Sequence, residues 1–402
     1  MNRKEGIRKN ITTIDELKRH IDLARDEEKK LREVISIHPM SISRYYMSLI
    51  DRDDPGDPIR KMAVPSAKEL DLSGSYDTSG EKENTKIAGL QHKYPKTVLL
   101  LSTNICSMYC RHCFRKRLVG LSNDEIMSRF NVAVDYIKAH QEVNNVLISG
   151  GDPLTLPTAI LAHFLERLAG ISHLDYIRIG SRIVVTNPDR ILQDAELLEI
   201  LKKYSLKERR ISLVTQFNHP REITEKTKDC IDKIHQAGVT VNNQTVLLKG
   251  VNDSPAILAE LLNGLVRIGV IPYYVFQCRP VRGVKNNFQV PLVTGYQVIE
   301  QAKKQLNGLS KRFRYIMSHP SGKIEIIGIM GDEIYLKYHQ AKDPANLGKF
   351  FKKKLNDSAR WLDELADRES GGKSNLAIVK RHPLAIMPVS NLWRLPRDGR
   401  PE

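Results

Sequence analysis

Six short apolar segments, each followed by an amphipathic helical stretch, constrain the fold of this 402-residue chain more than any other feature. The segments lie at residues 98–102, 146–149, 177–179, 211–215, 239–246 and 273–276. Strands that alternate with helices form βαβ units and a parallel sheet. The pattern therefore predicts an α/β fold built as a partial or complete parallel barrel, with its chemistry at the carboxyl ends of the strands.

The regions on either side of these segments differ from them in composition. Residues 10–50 have a helical pattern, with Thr13 and Asp15 as candidate N-caps. Residues 51–90 are rich in Asp, Gly, Pro and Ser, which predicts a loop-rich connector. A small β-rich segment follows residue 311, and a basic tail from about Lys352 is expected to pack loosely or to cross to another subunit. We predict three regions: a helical region with its connector (1–90), a barrel (91–310) and a C-terminal extension (311–402).

Composition and charge narrow the class of protein. No apolar run reaches the length of about 18 residues that a membrane helix needs, and the chain begins without the apolar segment of a secretion signal. We therefore expect a cytoplasmic protein without a membrane partner. The net charge of +16 suits nucleic acid, anionic lipid or acidic small molecules. Because the basic residues are spread along the chain and no nucleic-acid module is recognisable, nucleic acid is not the expected partner.

Three of the five cysteines fall within eight residues, at Cys106, Cys110 and Cys113. Thiolates in a C-x3-C-x2-C pattern, on the loop that leaves a strand, can ligate three irons of a [4Fe–4S] cluster and leave the fourth iron open. The alternatives are an irregular zinc site completed by His112, or buried thiols without a metal. The other two cysteines are expected to be buried packing residues.

A second motif, Ser149-Gly150-Gly151-Asp152, ends the second predicted strand. Bare glycine backbone allows a ligand to approach closely and to reach N–H and C=O groups. The alternative is a strand-to-helix turn in which Asp152 serves only as an N-cap.

These motifs, and the sequence around them, resemble the lysine 2,3-aminomutase family of radical S-adenosylmethionine (SAM) enzymes. The resemblance spans roughly residues 10–340 and is carried by strings such as TNICSMYCRHCFRKR, VLISGGDPL and PYYVFQC. It implies a partial (β/α)6 barrel of radical SAM type and an isomerase that moves an α-amino group to the β-carbon. It also implies that Cys106, Cys110 and Cys113 ligate a [4Fe–4S] cluster, and that the glycine motif contacts SAM.

The resemblance further implies pyridoxal 5′-phosphate (PLP), held by a lysine in a glycine-rich turn after the barrel. The matching turn here, residues 318–323, ends at Lys323, although it is shorter than the family's PGGGGK string and has one glycine. The alternative is an exposed turn lysine. Lys93 matches a basic position near the cofactor phosphate, and Asn243 and Gln244 lie in a polar patch at a strand end.

The substrate-binding positions depart from lysine 2,3-aminomutase. Arg115 matches the arginine that binds the α-carboxylate of the substrate, and the paired N–H donors of a guanidinium suit a carboxylate. The family's lysine enzymes bind the distant ammonium with two aspartates, whereas Arg279 and Ser318 stand at the matching positions. Because Arg279 would repel an ammonium, we expect an acidic amino acid such as glutamate, with Arg282 as a second candidate contact. The alternative for Arg279 is pairing with a protein acid or with SAM.

Several readings remain beside this one: a lysine 2,3-aminomutase, a protein-lysine-modifying relative and a basic Fe–S protein associated with nucleic acid. The expected partners are the amino acid, an electron donor such as flavodoxin or ferredoxin, and further copies of the chain in a homodimer or homotetramer. The family's zinc site is not expected, since Ser254 replaces one of its cysteines and none follows Cys278.

Overall fold

The computed structural model describes residues 10–121 and 123–366. These described residues belong to one compact unit, and the predicted tail beyond Ala366 lies outside the described residues. No helix in the described ranges is both long enough and apolar enough to cross a membrane.

The unit is built on one sheet of twelve strands in sequential order. The strands are β1 Thr85–Ile87, β2 Leu90–Tyr94, β3 Thr97–Leu101, β4 Asn145–Ser149, β5 Tyr176–Gly180, β6 Ile211–Thr215, β7 Thr240–Leu247, β8 Ile271–Gln277, β9 Arg314–His319, β10 Gly322–Met330, β11 Glu333–Ala341 and β12 Phe350–Lys354.

Seven consecutive strands, β3 to β9, pair in parallel and form the partial barrel. The six predicted strands are β3 to β8. The seventh, β9, belongs to the segment that the sequence marked only as β-rich. Antiparallel pairs extend the sheet at both ends, through β1 and β2 before the barrel and through β10 to β12 after it. The sheet therefore crosses both predicted region boundaries.

Alternation along the barrel strands separates the core from the interior of the barrel. In β3, Val98 and Leu100 are fully buried, whereas Leu99 lines the internal cavity. In β5, Ile177 and Ile179 are buried and Arg178 lines the cavity. Because successive side chains of a strand point to opposite faces, each strand contributes to the core and to the cavity.

Helices cover the outer face of the barrel and fill the N-terminal region. The α-helices are Ile14–Leu17, Arg25–Ile37, Arg44–Met47, Pro58–Ala63, Glu81–Asn84, Phe130–Ala139, Thr158–Ala169, Ile183–Thr186, Asp189–Leu192, Ala195–Tyr204, Glu225–Gln236, Pro255–Arg267, Lys285–Phe288 and Leu292–Lys304. Short 3-10 helices lie at Ala67–Leu70, Pro153–Thr155, Pro220–Glu222, Pro344–Asn346 and Leu362–Glu364.

Two local predictions need correction. Thr13 is the N-cap of the first helix, in a capping box with Glu16, whereas Asp15 lies inside that helix and pairs with Arg32. The predicted start of the tail, at Lys352, is instead part of β12 and pairs with β11. A basic run on the face of an edge strand has the same composition as a tail, so charge alone could not distinguish them.

Candidate active site

The predicted site residues meet in one cavity of about 360 Å³ at the carboxyl edge of the barrel strands. Apart from Arg282, which is described below, every candidate but one lines it. The lining candidates are Lys93, Cys106, Cys110, Cys113, Arg115, Ser149, Gly150, Gly151, Asp152, Gln244, Arg279, Ser318 and Lys323. Parallel strands bring their carboxyl ends to one edge of the sheet, which explains how residues so far apart in sequence converge.

The exception is Asn243, which lies outside the cavity. Its side-chain oxygen accepts the Phe217 N–H at 2.6 Å, and its amide nitrogen donates to the Phe217 carbonyl and to Thr245 Oγ1. Adjacent strand residues face opposite sides of a sheet, so Asn243 and Gln244 cannot both face the cavity. The expectation that Asn243 binds a cofactor is therefore wrong.

The three clustered cysteines lie on the loop that follows β3. Main-chain bonds to the helical region fix this loop: the Tyr109 N–H donates to the Ser41 carbonyl and the Arg111 N–H to the Met62 carbonyl. Burial, together with the other thiols, raises the pKa of Cys106 above its ordinary value and that of Cys113 to about 11. Such thiols ionise only when a cation or metal compensates them.

The spacing of the sulfurs bears on the zinc alternative. Across residues 10–121 and 123–366, the three thiols do not form a group in which all sulfurs lie within 4.8 Å of one another. Two sulfurs on a single tetrahedral zinc lie about 3.8 Å apart, given a zinc–sulfur distance of about 2.3 Å. At least one pair of the sulfurs is therefore further apart than a single zinc ion would hold it.

The glycine motif packs against the beginning of the cysteine loop. Gly150 has a φ of 122°, and a Cβ added there would lie 2.3 Å from the Thr103 carbonyl oxygen. A Cβ at Gly151 would lie 2.4 Å from the Ile105 carbonyl oxygen. The N–H groups of Gly151 and Asp152 donate to those two carbonyls, at 2.5 and 2.8 Å respectively. The two glycines are therefore required by the approach of this turn to the cysteine loop.

Asp152 is the N-cap of a short helix and also lies at the cavity wall. Its carboxylate caps the short helix Pro153–Thr155 through the Leu154 N–H, and it also accepts from Ser181 Oγ at 2.6 Å and from the Arg182 N–H at 2.8 Å. Asp152 also lines the cavity, and burial raises its pKa to about 6.

Lys323 is the second residue of β10, where the turn after β9 brings it opposite Ser318. Its Nζ donates to Gln340 Oε1 at 3.0 Å and lies over the rings of Tyr94 and Tyr274, 5.6 and 5.1 Å from their centroids. Burial, reinforced by nearby cationic side chains, lowers the pKa of Lys323 to about 7. Lys323 is thus a cavity amine with a substantial neutral fraction at neutral pH, as an imine-forming lysine requires.

Lys93 lies in the same part of the cavity but is engaged by the main chain. Its Nζ donates to the carbonyls of His319 at 2.7 Å and Ser79 at 3.2 Å. Burial, with Arg279 nearby, lowers the pKa of Lys93 to about 7.

Arg115 is held at the cavity wall by three hydrogen bonds. Its Nε donates to Glu81 Oε1 at 3.0 Å, and its Nη1 donates to Ser149 Oγ and the Gly150 carbonyl. The guanidinium is therefore fixed beside the glycine motif.

Arg279 lies next to Ser318. Its Nη2 donates to Ser318 Oγ at 2.8 Å, and its guanidinium stacks on the Phe114 ring. Its Nη1 is buried and has no hydrogen-bond partner among the described residues. Burial lowers the pKa of Arg279 to about 10. Arg282, by contrast, does not line the cavity and stacks on Tyr76.

Comparison with known proteins identifies the family. The sequence profile of the radical SAM superfamily matches residues 100–262. A protein of Aquifex aeolicus assigned to the L-lysine 2,3-aminomutases is 41% identical over 372 residues, which are 92% of this chain and 99% of the relative. The chain belongs to the radical SAM 2,3-aminomutase family.

Two further relatives show the range of this family. The L-lysine 2,3-aminomutase of Clostridium subterminale is 42% identical over 75% of this chain and 72% of its own length. The glutamate 2,3-aminomutase of Clostridioides difficile is 36% identical over 80% of this chain and 75% of its own length. The chain is therefore an isomerase of aminomutase type; the family implies a [4Fe–4S] cluster and SAM, and its lysine aminomutases are PLP-dependent.

Sequence reasoning missed two arginines of this aminomutase that line the cavity, Arg178 and Arg182. Arg178 lies between buried isoleucines in β5, and its Nε donates to Asn145 Oδ1. The sequence YIRIG contained a signal for Arg178, because the alternation of this strand places the arginine on the face opposite to the two buried isoleucines. Arg182 follows the same strand. Its contacts are with residues distant in sequence, so the local sequence around Arg182 did not indicate its place in the cavity.

The cavity of this aminomutase carries an excess of positive charge. Its lining includes four arginines and two lysines but only two carboxylates, Glu81 and Asp152. Glu81 already accepts from Arg115 and Arg117, and Asp152 from three donors. The cavity therefore favours anionic ligands.

Proposed function

We propose that this chain is a PLP-dependent 2,3-aminomutase that isomerises an acidic α-amino acid, with glutamate as the expected substrate. The observation that carries the proposal is Arg279, whose buried Nη1 lacks an acceptor where the family's lysine enzymes have an aspartate. A buried guanidinium without an acceptor is costly, and a substrate carboxylate would satisfy it.

The cofactors would be held by three separate parts of the cavity wall. Cys106, Cys110 and Cys113 would ligate the cluster, and the Ser149–Asp152 turn would contact SAM. Lys323 would bind PLP covalently. When bound, the cluster and SAM supply the radical that removes a hydrogen from the substrate Cβ, and PLP supplies the π-system through which nitrogen reaches that carbon.

Lys323 contributes through its protonation state. Only the neutral amine can attack a carbonyl, and the buried site keeps much of Lys323 neutral at pH 7. Arg178 and Lys93 lie close enough to lower the pKa of this amine, and their charges suit an anionic phosphate in the same region. Gln244 adds a neutral polar contact to this wall.

Arg115 would orient the substrate α-carboxylate. Glu81 and the glycine motif fix two of its three nitrogens, so the remaining donor points in a defined direction. A pre-oriented guanidinium loses less entropy on binding a carboxylate than a free lysine would.

Lysine is the second candidate substrate, since the family's lysine enzymes are more similar overall than the glutamate enzyme. The side-chain positions outweigh overall identity here. Both cavity carboxylates are already engaged, so the ammonium of lysine would find Arg279 and no free acid.

The test is an anaerobic turnover assay with reconstituted cluster and a panel of α-amino acids. The proposal predicts β-isomers from acidic substrates only when SAM, PLP and a reductant are all present. Isomerisation that persists without PLP, or no isomerisation of any amino acid, would contradict it. A cytoplasmic location, a flavodoxin or ferredoxin as electron donor and assembly into a homo-oligomer accompany this proposal as predictions.

A further inference from the structure

The guanidinium of Arg182 lies directly beside one of the three clustered thiols. Its Nη1 is 3.0 Å from Cys110 Sγ. Arg182 follows β5 at the carboxyl edge of the barrel, and it is 8% exposed. A permanent positive charge and an N–H donor are therefore presented to Cys110 inside the protein.

A buried network fixes Arg182 in this position. Its Nη2 donates to Glu222, a fully buried carboxylate, and its Nε donates to the Gln216 carbonyl at 2.9 Å. Glu222 also accepts from Tyr46 Oη and from the Asn218 N–H, both at 2.6 Å. Because each remaining donor of the guanidinium has a partner, Nη1 stays directed at the sulfur.

The charges of this network influence the reduction potential of a metal cluster that Cys110 ligates. Reduction of an iron–sulfur cluster adds an electron that is shared with its sulfurs, and hydrogen bonds to the sulfurs and local charge set the potential. A guanidinium at hydrogen-bond distance stabilises the reduced, more negative state. Glu222 opposes this effect, since its negative charge partly compensates Arg182.

We propose that Arg182 is a positioning residue that raises the reduction potential of the cluster, and that Glu222 limits this increase. This inference rests on the proposed function in one respect, the ligation of the cluster by Cys110. It makes a prediction that a purely structural ion pair does not make: the two residues act on the potential in opposite directions.

The test is an anaerobic redox titration of the reconstituted full-length protein, followed by EPR, in wild type, Glu222→Gln and the double variant Glu222→Gln with Arg182→Met. The carboxamide oxygen can still accept from the Asn218 N–H, and its NH2 group can donate to the Tyr46 hydroxyl. The double variant leaves no unpaired buried charge. We expect Glu222→Gln to raise the potential above that of wild type. We expect the double variant to reduce the equilibrium constant for cluster reduction at least tenfold relative to Glu222→Gln, which is 59 mV for one electron.

Arg190→Met is the matched control, because Arg190 is also in a partly buried ion pair, with Asp194, but lies outside the cavity. Its potential should equal that of wild type. The tuning role is overturned if Glu222→Gln does not raise the potential, or if the double variant has the same potential as Glu222→Gln. If the double variant holds no cluster, the single variant decides alone. Iron and sulfide analysis separates the two proposals, since a wild-type protein that binds no cluster would contradict the proposed function itself.

Discussion

At the residue scale, two arginines share the ring of Phe114 and mark where the proposed acidic substrate would place its carboxylates. Arg115 and Arg279 lie over this ring, 4.6 and 4.3 Å from its centroid. One is engaged by Glu81 and the glycine motif, and the other by Ser318. An amino acid with carboxylates at both ends matches this pair.

Replacing Arg279 tests the second of these contacts. A carboxylate about 4 Å from a guanidinium gains on the order of a few kcal/mol in a partly buried site, and an ammonium loses a similar amount. We expect Arg279→Asp to lower kcat/KM for glutamate about a hundredfold, because about 1.4 kcal/mol corresponds to a factor of ten. The ratio of kcat/KM for glutamate and lysine measures this effect. Arg282→Gln, outside the cavity, is the control and should leave the ratio unchanged; an unchanged ratio in Arg279→Asp would show that Arg279 does not contact the substrate.

The pKa of Lys323 predicts how PLP attachment depends on pH. Since this pKa is lowered from 10.5 to about 7, the neutral amine predominates above pH 7 and is lost below it. Borohydride trapping of PLP on the apoprotein, followed by peptide mapping, should label Lys323 half-maximally near pH 7. Arg178→Gln removes one of the cations that lower this pKa, so its midpoint should move to higher pH. A pyridoxyl label on another lysine would contradict the assignment of Lys323 as the PLP-binding residue.

The place of a residue in the site could be predicted where a sequence motif determines its chemistry. It could not be predicted where packing between distant segments determines it. The cysteines, Lys323, Arg115 and Arg279 were predicted from their fixed positions relative to recognisable strings, and all of them line the cavity. Asn243 was misassigned because a polar patch does not reveal which face of a strand each residue occupies. Arg182 was missed because its function depends on Glu222 and Tyr46, which are distant in sequence.

At the scale of elements, the contact between the glycine turn and the cysteine loop predicts a specific defect. An alanine Cβ at Gly151 would lie 2.4 Å from a main-chain oxygen of the cysteine loop, so one of the two segments must move. We expect Gly151→Ala to fold but to retain less than half of the iron of wild type after reconstitution. Iron and sulfide analysis measures this loss. Gly308→Ala is the control, since no atom lies within 4 Å of its added Cβ; wild-type iron content in Gly151→Ala would refute the role of this contact.

The barrel strands were predictable because apolar runs alternate regularly with helical stretches. Of the antiparallel strands, β10 and β11 were expected only as part of a β-rich segment, and β1, β2 and β12 were not expected, since their pairing is set by neighbours rather than by local pattern. Of these, β10 matters most, because it brings Lys323 to the carboxyl edge of the parallel strands. The connector that appeared loop-rich also contains β1 and the first residue of β2, together with the helix that supplies Glu81.

At the scale of the whole molecule, buried ion pairs join the N-terminal region to the cysteine loop. Glu69 is fully buried and accepts from Arg111 at 2.5 Å and from Lys116 at 2.6 Å. Burial alone would raise the pKa of Glu69, but these two cations lower it to about 2. The helical region and the barrel are therefore expected to unfold together.

Glu69→Gln tests this connection. It leaves two buried cations without their counter-ion, and we expect it to reduce the free energy of unfolding by about 3–5 kcal/mol.

Because the folded pKa lies below the ordinary value of 4.5, the stabilisation from Glu69 is complete above pH 4.5 and is lost as pH falls towards 2. The variant should lack this part of the pH dependence. Urea unfolding across this pH range measures both effects. Glu142→Gln, at the surface, should change stability by less than about 0.5 kcal/mol, and an equally small change in Glu69→Gln would contradict the account.

Competition between two substrates shows whether this aminomutase prefers an acidic amino acid. Equimolar glutamate and lysine are incubated with the wild-type enzyme, reconstituted with cluster, SAM and PLP, and the two β-isomers are quantified early in the reaction. Their ratio equals the ratio of kcat/KM for the two substrates. The account predicts β-glutamate in at least a hundredfold excess, the preference that a few kcal/mol at Arg279 would give. An excess of β-lysine would contradict it, since Arg279 would then have to point away from the substrate and an acid other than those described here would have to bind the ammonium.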